Sequence, residues 1–301
     1  AGGGIYGYAV GNETIVSSII WGNSSSTDPN VLSTAGLSII YSDIGGGWIG
    51  EGNIDADPRF VEPGSGDYHL LASSVGINAG HPDSTDSDGT RTDMGVYPYL
   101  NEYTGPVWYV TTTGDDTTGT GAVDAPFFSI QGGINFAEAA ADTVRVQAGV
   151  YTENITFRGH STNVIGTEGP ESTIIDGSAS DRVVDFKDGE TSQAVLSGFT
   201  LQNGSASYGG GIYLSNSSVP TLDNLIITGN SAVHGGGIRS ETGSDSALIR
   251  NVIISNNTAT NGGGCSLMSS VILENVLIAG NSATSGGGII FLNTGTQSIL
   301  N

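Results

Sequence analysis

Leu222-Asp-Asn-Leu-Ile-Ile-Thr-Gly-Asn-Ser-Ala232, followed by Gly235-Gly-Gly-Ile238, is the stretch that decides the fold, because the chain repeats it. Related copies begin at Ile249 and Leu273, and each is followed by its own glycine triplet. The triplets that start at Gly209 recur after 26, 27 and 24 residues. One repeat holds only a few short apolar clusters and cannot bury them alone, so neighbouring repeats must stack.

Short apolar clusters between Gly and Asn turns are typical of strands in a parallel solenoid, where adjacent coils supply the hydrogen bonds. We expect the glycine triplets to permit φ > 0 and close backbone approach at a corner. Asn230, Asn257 and Asn281 occupy equivalent positions, where asparagine can tolerate left-handed turns and stack into an internal ladder of amides. The sequence therefore predicts an all-β, right-handed parallel β-helix, with a β-sandwich as the alternative.

The composition indicates a folded, acidic protein and excludes several function classes. Glycine supplies 48 of the 301 residues and Lys187 is the only lysine, which disfavours a helical protein. The formal net charge of −22 repels phosphate backbones and anionic lipid surfaces. Every apolar run is shorter than the roughly 20 residues that span a bilayer. We therefore expect no nucleic acid partner and no membrane span.

The Gly-Gly-Gly-Ile and Ile-Ile-x-x-Asn-x-Ala units, over 195–301 and 1–25, resemble repeats of known proteins. They are similar to right-handed parallel β-helix proteins, including polymorphic outer-membrane proteins and the pectate-lyase-like superfamily. The resemblance implies the fold and a bacterial, extracellular or cell-surface location. It does not imply one activity, because enzymes and adhesins share this fold.

Residues 107–177 resemble the opening of such β-helices, where a short helix caps the first coil. The residues themselves also predict a helix over 126–141, since its apolar positions are spaced by three and four and Pro126 suits a first turn. The apolar face comprises Phe127, Ile130, Ile134, Ala137 and Ala141. We therefore expect the second module to open with a short N-terminal capping helix.

Residues 53–100 resemble the closing segment of bacterial β-helix proteins, so the chain holds an end before a beginning. We expect 1–97 to be the C-terminal coils and closing segment of one β-helix, 98–106 a linker, and 107–301 the N-terminal cap and coils of a second β-helix. Both ends of the sequence fall inside repeats, and open strand edges are templates for pairing. We therefore expect copies of the chain to stack head to tail; the alternative is that the chain is a fragment of a longer tandem array, in which the same joint is covalent. The predicted edges contain Gly2, Gly3, Gly4, Ile5, Ile299 and Leu300.

The acidic stretch from Asp83 to Asp93 is a candidate metal loop. Carboxylates two residues apart, followed by a glycine that permits a sharp turn, are typical of calcium sites with oxygen ligands. The candidate ligands are Asp83, Asp86, Asp88 and Asp93, and Ca²⁺ is the expected cofactor. A solvated acidic turn is the alternative.

No catalytic residue emerges from the sequence. A polysaccharide lyase needs a base beside a uronate carboxylate and a cation that stabilises the enolate-like state. The basic residues near the repeats show no clustered spacing, and Arg239 is expected to be a solvated charge. They are Arg158, Arg182, Lys187, Arg239 and Arg250. For a hydrolase, Asp176, Asp181 and Asp185 supply carboxylates, but their pattern is nonspecific.

The sequence favours an extracellular, non-catalytic structural protein, a β-helix subunit of a surface fibre or adhesin that assembles head to tail with other copies. A polysaccharide lyase or other carbohydrate-active enzyme and a carbohydrate-binding module are the alternatives, and both would have polysaccharide as the partner. For the binding module, four aromatic residues could stack on sugars, or they could pack at the end of a coil stack. They are Tyr6, Tyr8, Trp21 and Trp48.

Overall fold

A computed structural model describes residues 4–7, 11–26, 30–33, 36–138, 140–292 and 298–300. These residues form parallel β-solenoid coils and contain one α-helix, which confirms the predicted fold class. The chain divides into two compact units. The first unit comprises 1–104 and 116–120, and the second comprises 105–115 and 121–301.

In the first unit, coil strands pair in parallel and a hairpin follows them. The strands are β1 (Ile5–Gly7), β2 (Glu13–Val16), β3 (Ile19–Ile20), β4 (Val31–Ser33), β5 (Leu37–Ile40), β6 (Asp43–Ile44), β7 (Phe60–Glu62) and β8 (Asp67–Leu70). Strand β1 pairs with β4, β2 with β5 and β3 with β6, so one coil lies on the next. Strands β7 and β8 are antiparallel. Buried Ile20, Val31, Ile39 and Ile44 form the core between the coils.

The second unit is a longer solenoid. Its elements before the regular repeats are β9 (Val107–Val110), α1 (Ile130–Phe136), β10 (Thr143–Val146), β11 (Gly149–Thr152), β12 (Ile155–Thr156), β13 (Asn163–Gly166), β14 (Thr173–Asp176), β15 (Val184–Phe186), β16 (Val195–Ser197), β17 (Thr200–Gln202), β18 (Ser205–Tyr208) and β19 (Ile212–Leu214). The elements of the regular repeats are β20 (Thr221–Thr228), β21 (Ser231–His234), β22 (Ile238–Ser240), β23 (Leu248–Ser255), β24 (Thr258–Asn261), β25 (Cys265–Leu267), β26 (Ile272–Ala279), β27 (Ser282–Ser285), β28 (Ile289–Phe291) and β29 (Ser298–Leu300).

Three parallel sheets run along this second solenoid. The first sheet contains β9, β10, β13, β16, β20, β23, β26 and β29, with β11, β14 and β17 beside them. The second sheet contains β12, β15, β19, β22, β25 and β28, and the third contains β18, β21, β24 and β27. The register places Leu222 beside Ile249 and Ile249 beside Leu273, so like residues stack from coil to coil. All three are buried, and such stacks build the core.

The predicted helix is present as α1, but it is shorter than the predicted range 126–141. Its start is fixed by two polar side chains: the Ser129 hydroxyl accepts a hydrogen bond from the Gly132 amide, and the Glu153 carboxylate accepts from the amides of the first two helical residues, Ile130 and Gln131. The helix packs against β9, β10 and β12. A Cβ on Gly133 would lie 2.5 Å from Cγ1 of Val144, so the glycine allows this close contact.

The glycine triplets form a corner where the backbones of successive coils meet. In the second unit, the first glycine of each triplet, Gly209, Gly235, Gly262 or Gly286, has a positive φ, for example +69° at Gly235. A Cβ on Gly236 would lie 2.5 Å from the carbonyl oxygen of Gly263 in the next coil. The predicted left-handed conformation and close backbone approach at this corner are therefore confirmed.

Asp43, on β6 of the first unit, is a buried carboxyl group with an incomplete hydrogen-bond shell. Its side chain is 1% exposed, and Oδ1 accepts a hydrogen bond from the Ala56 amide. Within the described part of the chain, Oδ2 has no partner. Burial raises the pKa of Asp43 from its ordinary value of 3.8 to about 7. The protonated form is therefore favoured in the folded protein below about pH 7.

This raised pKa predicts how stability depends on pH. The stabilising contribution of protonated Asp43 is fully present below pH ~4 and is lost as the pH rises through about 7. Asp43→Asn places a neutral amide at this position and removes the titration. We expect the wild type to lose, relative to the variant, a few kcal/mol of unfolding free energy between pH 4 and 7. Urea unfolding at each pH measures it, and two parallel pH profiles would contradict the prediction.

Candidate functional site

Asn230, Asn257 and Asn281 lie in one ladder inside the second unit. Nδ2 of Asn230 donates to Oδ1 of Asn257 at 3.0 Å, and Nδ2 of Asn257 donates to Oδ1 of Asn281 at 3.0 Å. Nδ2 of Asn257 also donates to the carbonyl oxygen of Ile227 in the preceding coil. One amide therefore connects three successive coils, and the buried polar groups satisfy one another.

The left-handed turn that these asparagines could tolerate lies one residue earlier in each coil. Gly229, Asn256 and Gly280 have φ values of +67°, +56° and +66°. The chain turns at these residues, and the asparagine that follows then aims its side chain along the ladder. Asparagine is thus required at the ladder positions because its side-chain amide forms the hydrogen bonds. Its tolerance of a left-handed backbone is not used there.

The acidic loop of the first unit uses its carboxylates to hold its own backbone. Asp86 accepts hydrogen bonds from the Asp93 amide at 2.9 Å and from the Thr92 hydroxyl at 3.1 Å. Asp88 accepts from the amides of Thr90 and Asn101. These are loop contacts of the kind that Asp side chains make in turns.

Asp93 is buried within the same loop. Its two carboxylate oxygens accept hydrogen bonds from the amides of Asn78 and Tyr99, and burial raises its pKa to about 7. Across the described ranges, no group of three or more His, Cys, Asp or Glu side chains is placed to hold a metal ion, and Asp83 joins no such group. Asp86, Asp88 and Asp93 thus hold the backbone of the loop in this structure, and the calcium prediction stays a prediction.

A charged and aromatic cluster, which the sequence pattern did not reveal, lies on the second sheet of the second unit. The parallel register places Asp185 beside Tyr213 and Tyr213 beside Arg239. The Arg182 guanidinium lies 4.5 Å from the centre of the Tyr213 ring. Arg182 and Lys187 also pair with the two oxygens of Asp185, at 3.4 and 3.5 Å. Residues separated by a whole coil in sequence thus become neighbours.

The cations and acids of this cluster are engaged with one another. Burial raises the pKa of Asp185, although the positive charges of Arg182 and Lys187 oppose this shift. Asp181 pairs with Arg182 at 3.6 Å. Asp176 lies on β14, in a different sheet from Asp185, and accepts hydrogen bonds from two amide side chains. The three carboxylates proposed for a hydrolase therefore do not share one sheet.

The expectation that Arg239 is a solvated charge is wrong, because its side chain is enclosed. The residue is 4% exposed. Its guanidinium donates to Oε1 of Glu241 at 3.0 Å, to Oγ of Ser266 at 2.7 Å and to Sδ of Met268. Arg239 therefore connects strand β22 to strand β25. Two other candidate cations are also paired: Arg158 with Asn135, and Arg250 with Asp223.

The predicted assembly edges lie in different units. Gly2 and Gly3 are outside the described residues, whereas the amide of Ile5 donates to the Asn30 carbonyl on the adjacent coil. Gly4 directly precedes β1. Ile299 and Leu300 belong to β29, which pairs with β26. Head-to-tail stacking stays a prediction.

The predicted sugar-stacking aromatic residues do not form one platform. Tyr8 lies outside the described residues, and Trp48 packs against the core of the first unit. Tyr6 is 54% exposed and Trp21 lines a groove of the first unit. Three aromatic residues absent from the prediction, Phe60, Tyr68 and Tyr97, line that same groove.

The ladder predicts a large effect of one substitution. Asn257→Ala leaves buried donors and acceptors on three coils without partners, at a cost of about 1–3 kcal/mol for each unsatisfied group. We expect the melting temperature to fall by several degrees. Asn261→Ala on β24 is the matched control, since Asn261 is partly exposed and its amide makes a single 3.4 Å contact with His234. Equal melting temperatures for the two variants in differential scanning calorimetry would contradict the role of the ladder.

Within the described residues, no helix has the length and apolar character required to cross a membrane. Comparison of the chain with family models, with curated proteins and with solved structures found no match. The parallel β-solenoid is therefore established by the strand pairing of the chain itself.

Proposed function

We propose that the protein is a non-catalytic structural β-solenoid of an extracellular surface fibre or adhesin. The observation that carries this proposal is that two units with coil strands follow one another along a single chain. We interpret the first unit as the closing part of one β-helix and the second as the opening part of another. Tandem solenoids extend a chain by a fixed unit and present a long lateral surface.

The polar side chains support this proposal, because many of them connect coils. Besides the internal ladder, Nδ2 of Asn251 donates to Oδ1 of Asp223, and Nδ2 of Asn275 donates to Oδ1 of Asn251, both at 2.8 Å. A second row of contacts thus runs along the solenoid. Side chains held in such rows resist relative motion of the coils, as the role of a rod requires.

Other copies of the chain are the proposed partners, joined head to tail. Within the second unit, β20, β23 and β26 pair without any shift in register. A coil from another copy would meet the same spacing of donors and acceptors, as in strand addition to a sheet edge. The Gly-Gly-Gly-Ile resemblance to polymorphic outer-membrane proteins and pectate-lyase-like folds supports a bacterial surface location.

Electron microscopy with light scattering tests the assembly. We expect the purified 301-residue protein to form rods that lengthen with concentration, because a head-to-tail contact that does not close produces an open filament. Particles of one short length at every concentration, with a constant scattering mass, would contradict head-to-tail assembly.

An activity assay tests the non-catalytic part of the proposal. We expect no release of unsaturated products from pectin or alginate, because Arg239 is enclosed and Lys187 is paired with Asp185. Ultraviolet absorbance of the unsaturated products is the measurement. Sustained product release that is lost in Lys187→Ala, but kept in the surface variant Arg145→Ala, would establish a lyase instead.

A further inference from the structure

A groove in the first unit carries an inference beyond the structural role. It has a volume of about 670 Å³ and lies between residues 17–23 of a coil, the hairpin of β7 and β8, and residues 94–97. Its polar and aromatic lining residues include Ser17, Trp21, Asn23, Phe60, Tyr68 and Tyr97. We propose that this groove binds a neutral saccharide.

One face of the Tyr97 ring packs against a neighbouring side chain. It stacks on the His69 imidazole with ring centres 4.4 Å apart, and His69 Nδ1 contacts Asp67 Oδ1 at 2.7 Å. Tyr97 is nevertheless 44% exposed and lines the groove. A ring that is covered on one face and fixed by its neighbour offers its remaining surface to a ligand with little loss of rotamer freedom.

Tyr68 likewise packs against a neighbouring aromatic ring and stays partly exposed. Its ring packs edge-to-face on Phe60 at 5.2 Å and an angle of 84°, yet Tyr68 is 50% exposed. The Trp21 ring packs closely over Gly45, where a Cβ would lie 2.9 Å from Cε3. The glycine thus leaves room for the indole beside the groove. Three fixed rings therefore contribute to one concave surface.

Polar groups accompany these rings. In the described part of the chain, the hydroxyl groups of Tyr68 and Tyr97 and the indole N–H of Trp21 have no hydrogen-bond partner. Nδ2 of Asn23 donates to Oδ1 of Asn30, which fixes the orientation of the Asn23 amide at the groove. A purely apolar ligand would remove these groups from water without giving them partners.

The charge of the groove decides the ligand class. Among the described residues that line it, none is Asp, Glu, Lys or Arg. Phosphates and uronates therefore find no cation there, and the net charge of −22 repels them. A neutral saccharide offers C–H faces to the rings and hydroxyl groups to the tyrosines, the indole and Asn23. Its mixed apolar and hydroxyl surface thus suits a groove that is lined by aromatic rings and uncharged polar groups.

Affinity electrophoresis of the full 301-residue protein tests the proposal. The gels contain xylan, mixed-linkage β-glucan, galactomannan or starch, and polygalacturonate serves as the charged comparison. We expect at least one neutral polysaccharide to retard the protein and polygalacturonate not to do so. Calorimetric titration with a hexasaccharide of the retarding polymer then gives the affinity.

Tyr68→Ala and Tyr97→Ala should each weaken that affinity by at least about tenfold, the effect of one lost stacking contact. Tyr6→Ala is the matched control, because Tyr6 is an equally exposed tyrosine of the first unit outside the groove. Tyr97→Phe retains the ring packing and should weaken binding less than Tyr97→Ala, and it remains informative if an alanine variant fails to fold. Lack of retardation by every neutral polymer, equal retardation by polygalacturonate, or equal weakening by Tyr6→Ala would overturn the proposal.

Discussion

Parallel hydrogen bonding of each coil to the next is the interaction on which this structure depends. A single coil has strands of only a few residues and no apolar interior of its own, so it cannot fold without a neighbour. Pairing without a shift in register stacks Leu222, Ile249 and Leu273 in the interior. The same register aligns Asn230, Asn257 and Asn281, so the core and the polar ladder have one origin.

That register also explains the groupings on the outer faces. Tyr213 and Arg239 each follow a Gly-Gly-Gly-Ile sequence at the same offset, and pairing of β19 with β22 makes them neighbours. Asp185 joins them because β15 pairs with β19. The result is a cluster of paired charges and an aromatic ring, in which Arg239 is enclosed and connects two coils.

The fold was predictable because the repeat period, the glycine triplets and the equivalent asparagines are all local patterns. The first residue of α1 was not predictable, because the helix start depends on hydrogen bonds to Glu153, which lies 22 residues beyond Gln131 in the sequence. The charged cluster could not be predicted from the sequence, because Asp185, Tyr213 and Arg239 lie on successive coils and meet only through strand pairing. The groove was not predicted because Trp21, Tyr68 and Tyr97 come from three separate segments of the sequence. The carboxylates of Asp86 and Asp93 were recognised as a group, but their partners are backbone amides that no motif reveals.

The unequal spacing of the glycine triplets has a consequence for how such a chain can vary. The segments that join β19 to β20, β22 to β23 and β25 to β26 contain six, seven and four residues, and the corresponding periods are 26, 27 and 24. The differences in period therefore fall entirely within this one connection, while all strands keep their pairing. Insertions and deletions are absorbed on one flank of the solenoid, which makes that flank the natural place for sequence diversification or for grafting a foreign peptide.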